Sequence, residues 1–144
     1  MADTLVICDS GIARALNVWT NAAPSQHLAG SLLRLFNNNH TVTKATLLGD
    51  LTQATYPGYA AIALPALPAS SVSAHVATSA PAAAVTFLCT GGGPTESEYG
   101  GYITDSTGAL LLAAWNFGAG PFVMFTNGDT IDVTPTFSTQ SLNG

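Results

Sequence analysis

The sequence predicts a mainly β domain, an antiparallel β-sandwich or barrel with one short helix near the N-terminus. Three observations predict it. From residue 60 onward, short runs of Val, Ile, Thr, Phe and Tyr are punctuated by turn residues at spacings of about ten positions. Two of those punctuations, Asp105-Ser106-Thr107-Gly108 and Asn127-Gly128-Asp129, carry hairpin chemistry. Helical i, i+3/i+4 spacing occurs only near residues 10–20, at Ile12, Ala13, Leu16 and Trp19.

Leu5-Val6-Ile7 opens the chain as a short strand, and Asp9 or Ser10 caps the helix that follows. Pro24 discourages helix in the residue before it and closes that element. Ser31 to Phe36 reads as a strand, ended by the polar turn Asn37-Asn38-Asn39-His40. Residues 43–59 form a loop or one helical turn, leaving through Tyr56-Pro57-Gly58-Tyr59. Ala60 to Leu64 is a short strand that Pro65 and Pro68 interrupt or confine to an edge. Ser71 to Thr78 alternates Val72, Ala74 and Val76 with polar neighbours and reads as one strand. Ala84 to Cys89 is a strong strand closed by Gly91-Gly92-Gly93-Pro94. Tyr99–Thr104 and Ala109–Phe117 flank the Asp105 turn, and Phe122–Thr126 and Thr130–Phe137 flank Asn127-Gly128. No linker, repeat or charge run divides residues 1–144, so they form a single β-rich domain, with residues 1–9 a candidate extended arm.

Charge sets this chain apart. Charged residues make up 8% of it, against roughly a quarter in ordinary soluble domains. Three basic residues, Arg14, Arg34 and Lys44, face eight acidic ones for a net charge of -5. Disorder goes with low hydrophobicity, whereas this chain is 47% hydrophobic. A membrane span is not expected, because the longest apolar run, Gly108 to Phe117, is about half of the ~20 residues required. Nucleic acid is not an expected partner either, since phosphate neutralisation needs cations that the chain lacks. A surface of Thr, Ser, Asn and Gly suits secretion, or burial against neighbouring subunits where an unpaired charge costs several kcal/mol. Burial is the favoured expectation of the two; the opening residues, MADTLVICDSG, carry Asp3 and no cationic segment and do not read as a secretory signal.

Catalysis has little to stand on. Asp105 and Asp129 occupy turns, where an Asp side chain bonds the local backbone, and Asp132 lies on the polar face of an alternating strand. His27, His40 and His75 are scattered, and no G-x-S-x-G elbow holds a nucleophile. Thr90-Gly91-Gly92-Gly93-Pro94 lacks the Lys-Ser/Thr of a phosphate loop and reads as a turn. Cys8 and Cys89 lie in apolar runs as small buried hydrophobes, without the paired spacing of a zinc site. Calcium at Asn127, Asp129 and Asp132 does not match the twelve-residue loop that makes such sites specific. No enzyme activity, cofactor or metal is expected.

Contact surfaces are the better candidates. Tyr99, Tyr102 and Trp115 form either an exposed aromatic patch for a sugar or a protein, or core packing with cross-strand pairs. Leu5, Val6 and Ile7 form either an arm that adds a strand to a neighbour's sheet or a strand of their own sheet.

The stretches GDLTQATYPGYAAIAL (49–64), AAAVTFLCTGGG (82–93), EYGGYITDSTGALLLAAWNF (98–117) and DTIDVTPTFS (129–138) resemble small structural proteins of tailed bacteriophages. GIARALNVW and LLRLFNNN fit the same group, and the likeness runs in order along nearly the whole chain. These motifs mark fold positions, so the resemblance carries over no catalytic residue. It implies a virion protein of the capsid decoration or cement type, made in the bacterial cytoplasm and seated on the capsid surface. The implied partners are the major capsid protein and further copies of the chain, a trimer at a three-fold position. The competing expectation is a tail-fibre or baseplate domain that recognises host polysaccharide through Tyr99, Tyr102 and Trp115.

Overall fold

Period-two alternation becomes antiparallel pairing throughout the computed structural model, which describes residues 6–7, 30–65, 71–73, 76–79 and 83–140. The described residues hold twelve strands, one 3-10 turn (Leu48–Asp50) and no α-helix. The fold is mainly β with antiparallel sheets. The helix expected over residues 10–20 lies outside the described residues.

The strands are β1 (Val6–Ile7), β2 (Leu32–Phe36), β3 (Ile62–Ala63), β4 (Ser71–Ser73), β5 (Val76–Ser79) and β6 (Val85–Leu88). They continue as β7 (Glu96–Glu98), β8 (Gly100–Thr104), β9 (Leu111–Asn116), β10 (Phe122–Met124), β11 (Thr130–Val133) and β12 (Phe137–Gln140). A five-stranded sheet runs in the order β1-β9-β8-β2-β3. The other pairings, read in sequence, make one long folded-back ribbon. From its tip at the Asp105 turn, β8 pairs with β9, β7 with β10, β6 with β11, and β5 with β12. Interruptions fall opposite one another on the two legs. The Gly91–Pro94 segment faces the Asn127 turn, and a Cβ at Gly91 would lie 2.8 Å from the Asn127 nitrogen.

This arrangement corrects two expectations. Phe122–Thr126 and Thr130–Phe137 do not pair across Asn127-Gly128; β10 turns to β7 and β11 to β6. The turn itself forms, with Asp129 N–H on the Thr126 carbonyl at 3.0 Å and Gly128 at φ 99°. However, the Asp129 carboxylate takes the N–H groups of Phe125 and Thr126, which a continuing hairpin ladder would use. The second correction concerns residues 71–78. They form two strands, β4 and β5, paired antiparallel with Ser73 opposite Val76. Alternation repeats with the same period on both sides of a reversal, so it does not reveal one.

The five-stranded sheet is apolar on both faces, which explains why β2 and β8 bury nearly every side chain. On one face, Leu33, Leu35, Ile103 and Trp115 pack with Val85, Phe87, Ile131 and Val133 of the β6–β11 ribbon. On the other, Phe36, Tyr102, Leu111 and Ala114 pack with Leu51 beneath the loop that carries Val42 and Leu48. Gly100 and Gly101 serve the two faces in turn. A Cβ at Gly100 would lie 2.5 Å from the Phe36 ring, and one at Gly101 2.4 Å from the Trp115 ring. Each glycine is therefore covered by an aromatic side chain from a neighbouring strand.

Residues 52–54 run beside the end of β2, with Ala54 N–H donating to Leu35 O at 3.0 Å, and β3 rejoins its start. Between them the chain swings out through Tyr56 and Tyr59. The Tyr59 hydroxyl accepts the Leu35 N–H at 3.0 Å, closing the ladder position that the excursion leaves open. Its ring stacks on Phe87 at 6.0 Å and meets Tyr56 edge-on at 5.3 Å.

Candidate functional site

The structure separates the three aromatic residues that the sequence groups together. Tyr102 and Trp115 are buried, and they belong to the cores on opposite faces of the sheet. Tyr99 is half-buried against the Phe36–Tyr102 cluster. They therefore pack the interior instead of forming a shared platform. Gly100-Gly101 is the physical reason, because bare backbone between the two tyrosines draws the neighbouring rings down onto the sheet. In the N-terminal segment, Val6 and Ile7 pair with Ala114 and Ala113 of β9, so β1 is an edge strand of the chain's own sheet. Leu5 lies outside the described residues.

Large apolar surface appears elsewhere. Phe122, Val123 and Phe125 are exposed at the β10 leg of the ribbon, and Leu88 is exposed at the end of β6. Phe122 and Val123 are consecutive in a strand and point to opposite faces, yet they remain 40% and 54% exposed. The β7–β10 pair is therefore covered only in part: Glu98 and Met124 are buried, Met124 within the main core, while Phe122 and Val123 stay exposed. Phe117 gives Phe122 an edge-on ring contact at 5.1 Å. Sequence reasoning passed over this surface. The signal was Phe122-Val123-Met124-Phe125, four large apolar residues in succession, which alternating strand geometry cannot bury against one core.

The acidic residues divide into two kinds. Asp105 accepts Ala109 N–H and Leu110 N–H at 3.0 Å and Thr107 Oγ1–H at 2.7 Å, which locks the ribbon tip. Asp129 holds its turn through Phe125 and Thr126 N–H, and these bonds draw its carboxyl below the usual range. Asp132 accepts the Thr86 hydroxyl at 2.6 Å across the β6–β11 ladder. Glu96 is bound by Thr55 N–H at 2.9 Å, by the Thr55 hydroxyl and by Asn37 Nδ2. All four are engaged locally, and among the described residues no three His, Cys, Asp or Glu side chains gather to hold a metal. His40 Nε2 lies 3.2 Å from Thr46 Oγ1, while His27 and His75 fall outside the described residues.

Glu98 is the exception. It is fully buried at the end of β7, opposite Phe122, and neither carboxylate oxygen meets a hydrogen-bond partner among the described residues. Burial, reinforced by the negative charge of Glu96, pushes its carboxyl up to about 8. The Tyr56 hydroxyl is also buried without a partner, and burial together with Glu98 holds it neutral. Nothing in the run Glu96-Ser97-Glu98-Tyr99 distinguishes Glu98 from an ordinary solvated glutamate.

The Gly91–Pro94 segment is a docking loop for the Tyr56–Tyr59 turn. Thr90 N–H donates to Pro57 O at 2.9 Å, and a Cβ at Gly93 would lie 2.4 Å from Pro57 Cγ. Cys89 beside it is buried, with a free thiol whose sulfur accepts Gly91 N–H at 3.4 Å. Comparison with protein-family models, curated proteins and solved structures finds no match to this chain.

Proposed function

We propose that the chain is a structural subunit of a phage particle, a capsid decoration or cement protein that seats on the major capsid protein and on copies of itself. The observation that carries this reading is the surface: 8% charged residues together with exposed Phe122, Val123, Phe125 and Leu88. Large exposed apolar side chains favour contact with another protein, and a chain poor in charge lowers the desolvation penalty of a broad contact. In this reading the fold is an antiparallel sandwich, with the five-stranded sheet and the β6–β11 ribbon as its layers around the Leu33–Val85–Trp115 core. A trimer at a three-fold position of the shell is the expected assembly. The polysaccharide-binding alternative draws less support, because Tyr102 and Trp115 are core residues and present no sugar platform.

Particles assembled without the protein are expected to form, but to break more readily on heating or osmotic shock, and adding the protein back restores them. Phe122→Asp with Val123→Asp is expected to abolish that rescue while leaving the circular dichroism spectrum unchanged. Rescue by the double variant, or capsids of equal strength with and without the protein, would remove the cement reading.

A further inference from the structure

Glu98 poses a problem that the assembly reading does not solve. An ionised carboxylate removed from water without a compensating donor is far more costly than a neutral acid in the same place. The side chain is fully buried, and its two oxygens have no partner among the described residues.

The surrounding groups do not relieve it. Glu96, two residues earlier on β7, carries the same sign and is committed to Thr55 and Asn37. Tyr56 is neutral, and its hydroxyl makes no hydrogen bond to Glu98 or to any other described residue. The Tyr59 hydroxyl is bonded to Leu35 N–H, and the Cys89 sulfur to Gly91 N–H. Arg34, farther off on β2, is bonded to Gln53 and Tyr102 and lies against the Asp105–Gly108 turn.

Above Glu98 the structure is thin. β7 and β10 are three residues each, pair only with one another, and carry exposed Phe122 and Val123. A short pairing that Met124 alone anchors in the core, with exposed apolar side chains around it, is among the first to open locally. We propose that Glu98 is a protonation latch: the closed β7–β10 pairing holds the neutral acid, and loss of its proton to solvent releases that pairing so that the carboxylate is hydrated. Release frees Met124, buried when the pair is closed, to join the apolar surface that Phe122 and Val123 already present. The latch rests on Glu98 alone and stands whether or not the chain belongs to a capsid.

Amide hydrogen exchange, corrected for intrinsic rates and read across pH 5 to 9, tests it. Protection of the amides of residues 96–98 and 122–124 is expected to fall as pH rises, by about tenfold per unit once the opened carboxyl ionises more readily than the closed one. Protection of β2 and β8 is expected to change much less. Glu98→Gln removes the titration and flattens the profile, and Glu98→Met does the same with an apolar side chain of similar size. A wild-type profile with no pH dependence, or the same slope kept in either variant, overturns the latch. The carbon-13 shift of the Glu98 carboxyl in the unmodified chain supplies a reading that needs no variant. It is expected to keep its protonated position while the pair stays closed and to titrate well above the ordinary carboxylate range; titration in that ordinary range with the pair still closed overturns the proposal.

Discussion

Asp105 shows how one side chain holds a turn. Its carboxylate receives two backbone N–H groups and the Thr107 hydroxyl, while its carbonyl takes Gly108 N–H at 3.0 Å. Asp105→Ala leaves those donors without their acceptor and is expected to destabilise the protein by about 1–3 kcal/mol, read as a lower urea midpoint. Gly128 isolates a different term. A Cβ there would meet nothing within 4 Å, so the penalty of substitution comes from φ 99° and not from crowding. Gly128→Val is expected to cost upwards of ~1 kcal/mol, and Gly128→Asn distinctly less, since Asn tolerates positive φ better than a β-branched residue. Equal losses for Val and Asn would show that backbone strain is not the cause.

At the scale of elements, Gly100 and Gly101 fix how closely the strands and their aromatic cover approach. A Cβ at Gly100 would lie 2.0 Å from the Trp115 carbonyl oxygen, which is backbone and cannot swing aside. Gly100→Ala is therefore expected to lower the midpoint of thermal unfolding more than Gly49→Ala, where a Cβ meets nothing within 4 Å. The strands themselves were legible in the sequence wherever one face alternates cleanly. Val85, Phe87, Ile131 and Val133 are buried, with Thr86 and Asp132 exposed between them. The partners were not legible, because Asn127-Gly128 specifies a reversal without specifying that the strands on either side pair with each other. Tyr102 and Trp115 were read both ways for a related reason: an aromatic beside a glycine pair signals contact without telling on which side of the sheet it falls. Glu98 was invisible, since nothing in Glu96-Ser97-Glu98-Tyr99 marks which glutamate is taken out of water.

For the whole molecule, the two kinds of carboxylate give stability a definite pH profile. Glu98 is neutral in the folded chain up to about 8 and ionises at 4.5 when solvated, so its contribution to stability is fully present below 4.5 and is lost as pH rises toward 8. Asp129 works in the opposite sense. Its folded carboxyl is drawn down by two N–H groups, so its contribution is present above the ordinary carboxylate range and lost on acidification. Denaturation midpoints are therefore expected to peak on the mildly acidic side of neutrality; Glu98→Gln flattens the alkaline limb, and Asp129→Asn trims the acid limb. The charge count adds an expectation for assembly. With three basic residues in the chain, contacts between copies have few ion pairs to screen, so light scattering is expected to give the same oligomer in dilute buffer and in molar salt. A monomer at every concentration would count against self-association.

The doubled-back ribbon also bears on how the chain finds its fold. Starting from the Asp105 turn, each successive pairing, β8 with β9, then β7 with β10, β6 with β11 and β5 with β12, joins residues farther apart in sequence than the one before. Once the tip has closed, every later rung inherits ends already brought together, so the entropy of loop closure is met in small instalments. Such a chain zips outward from one nucleus, although its pairings read as long-range in the finished fold. Asp105→Ala, at the nucleus, is then expected mainly to slow refolding, whereas Gly128→Val, well down the ribbon, mainly speeds unfolding. Stopped-flow chevrons for the two variants would separate these outcomes, and a shift confined to the unfolding limb in Asp105→Ala would place the nucleus elsewhere.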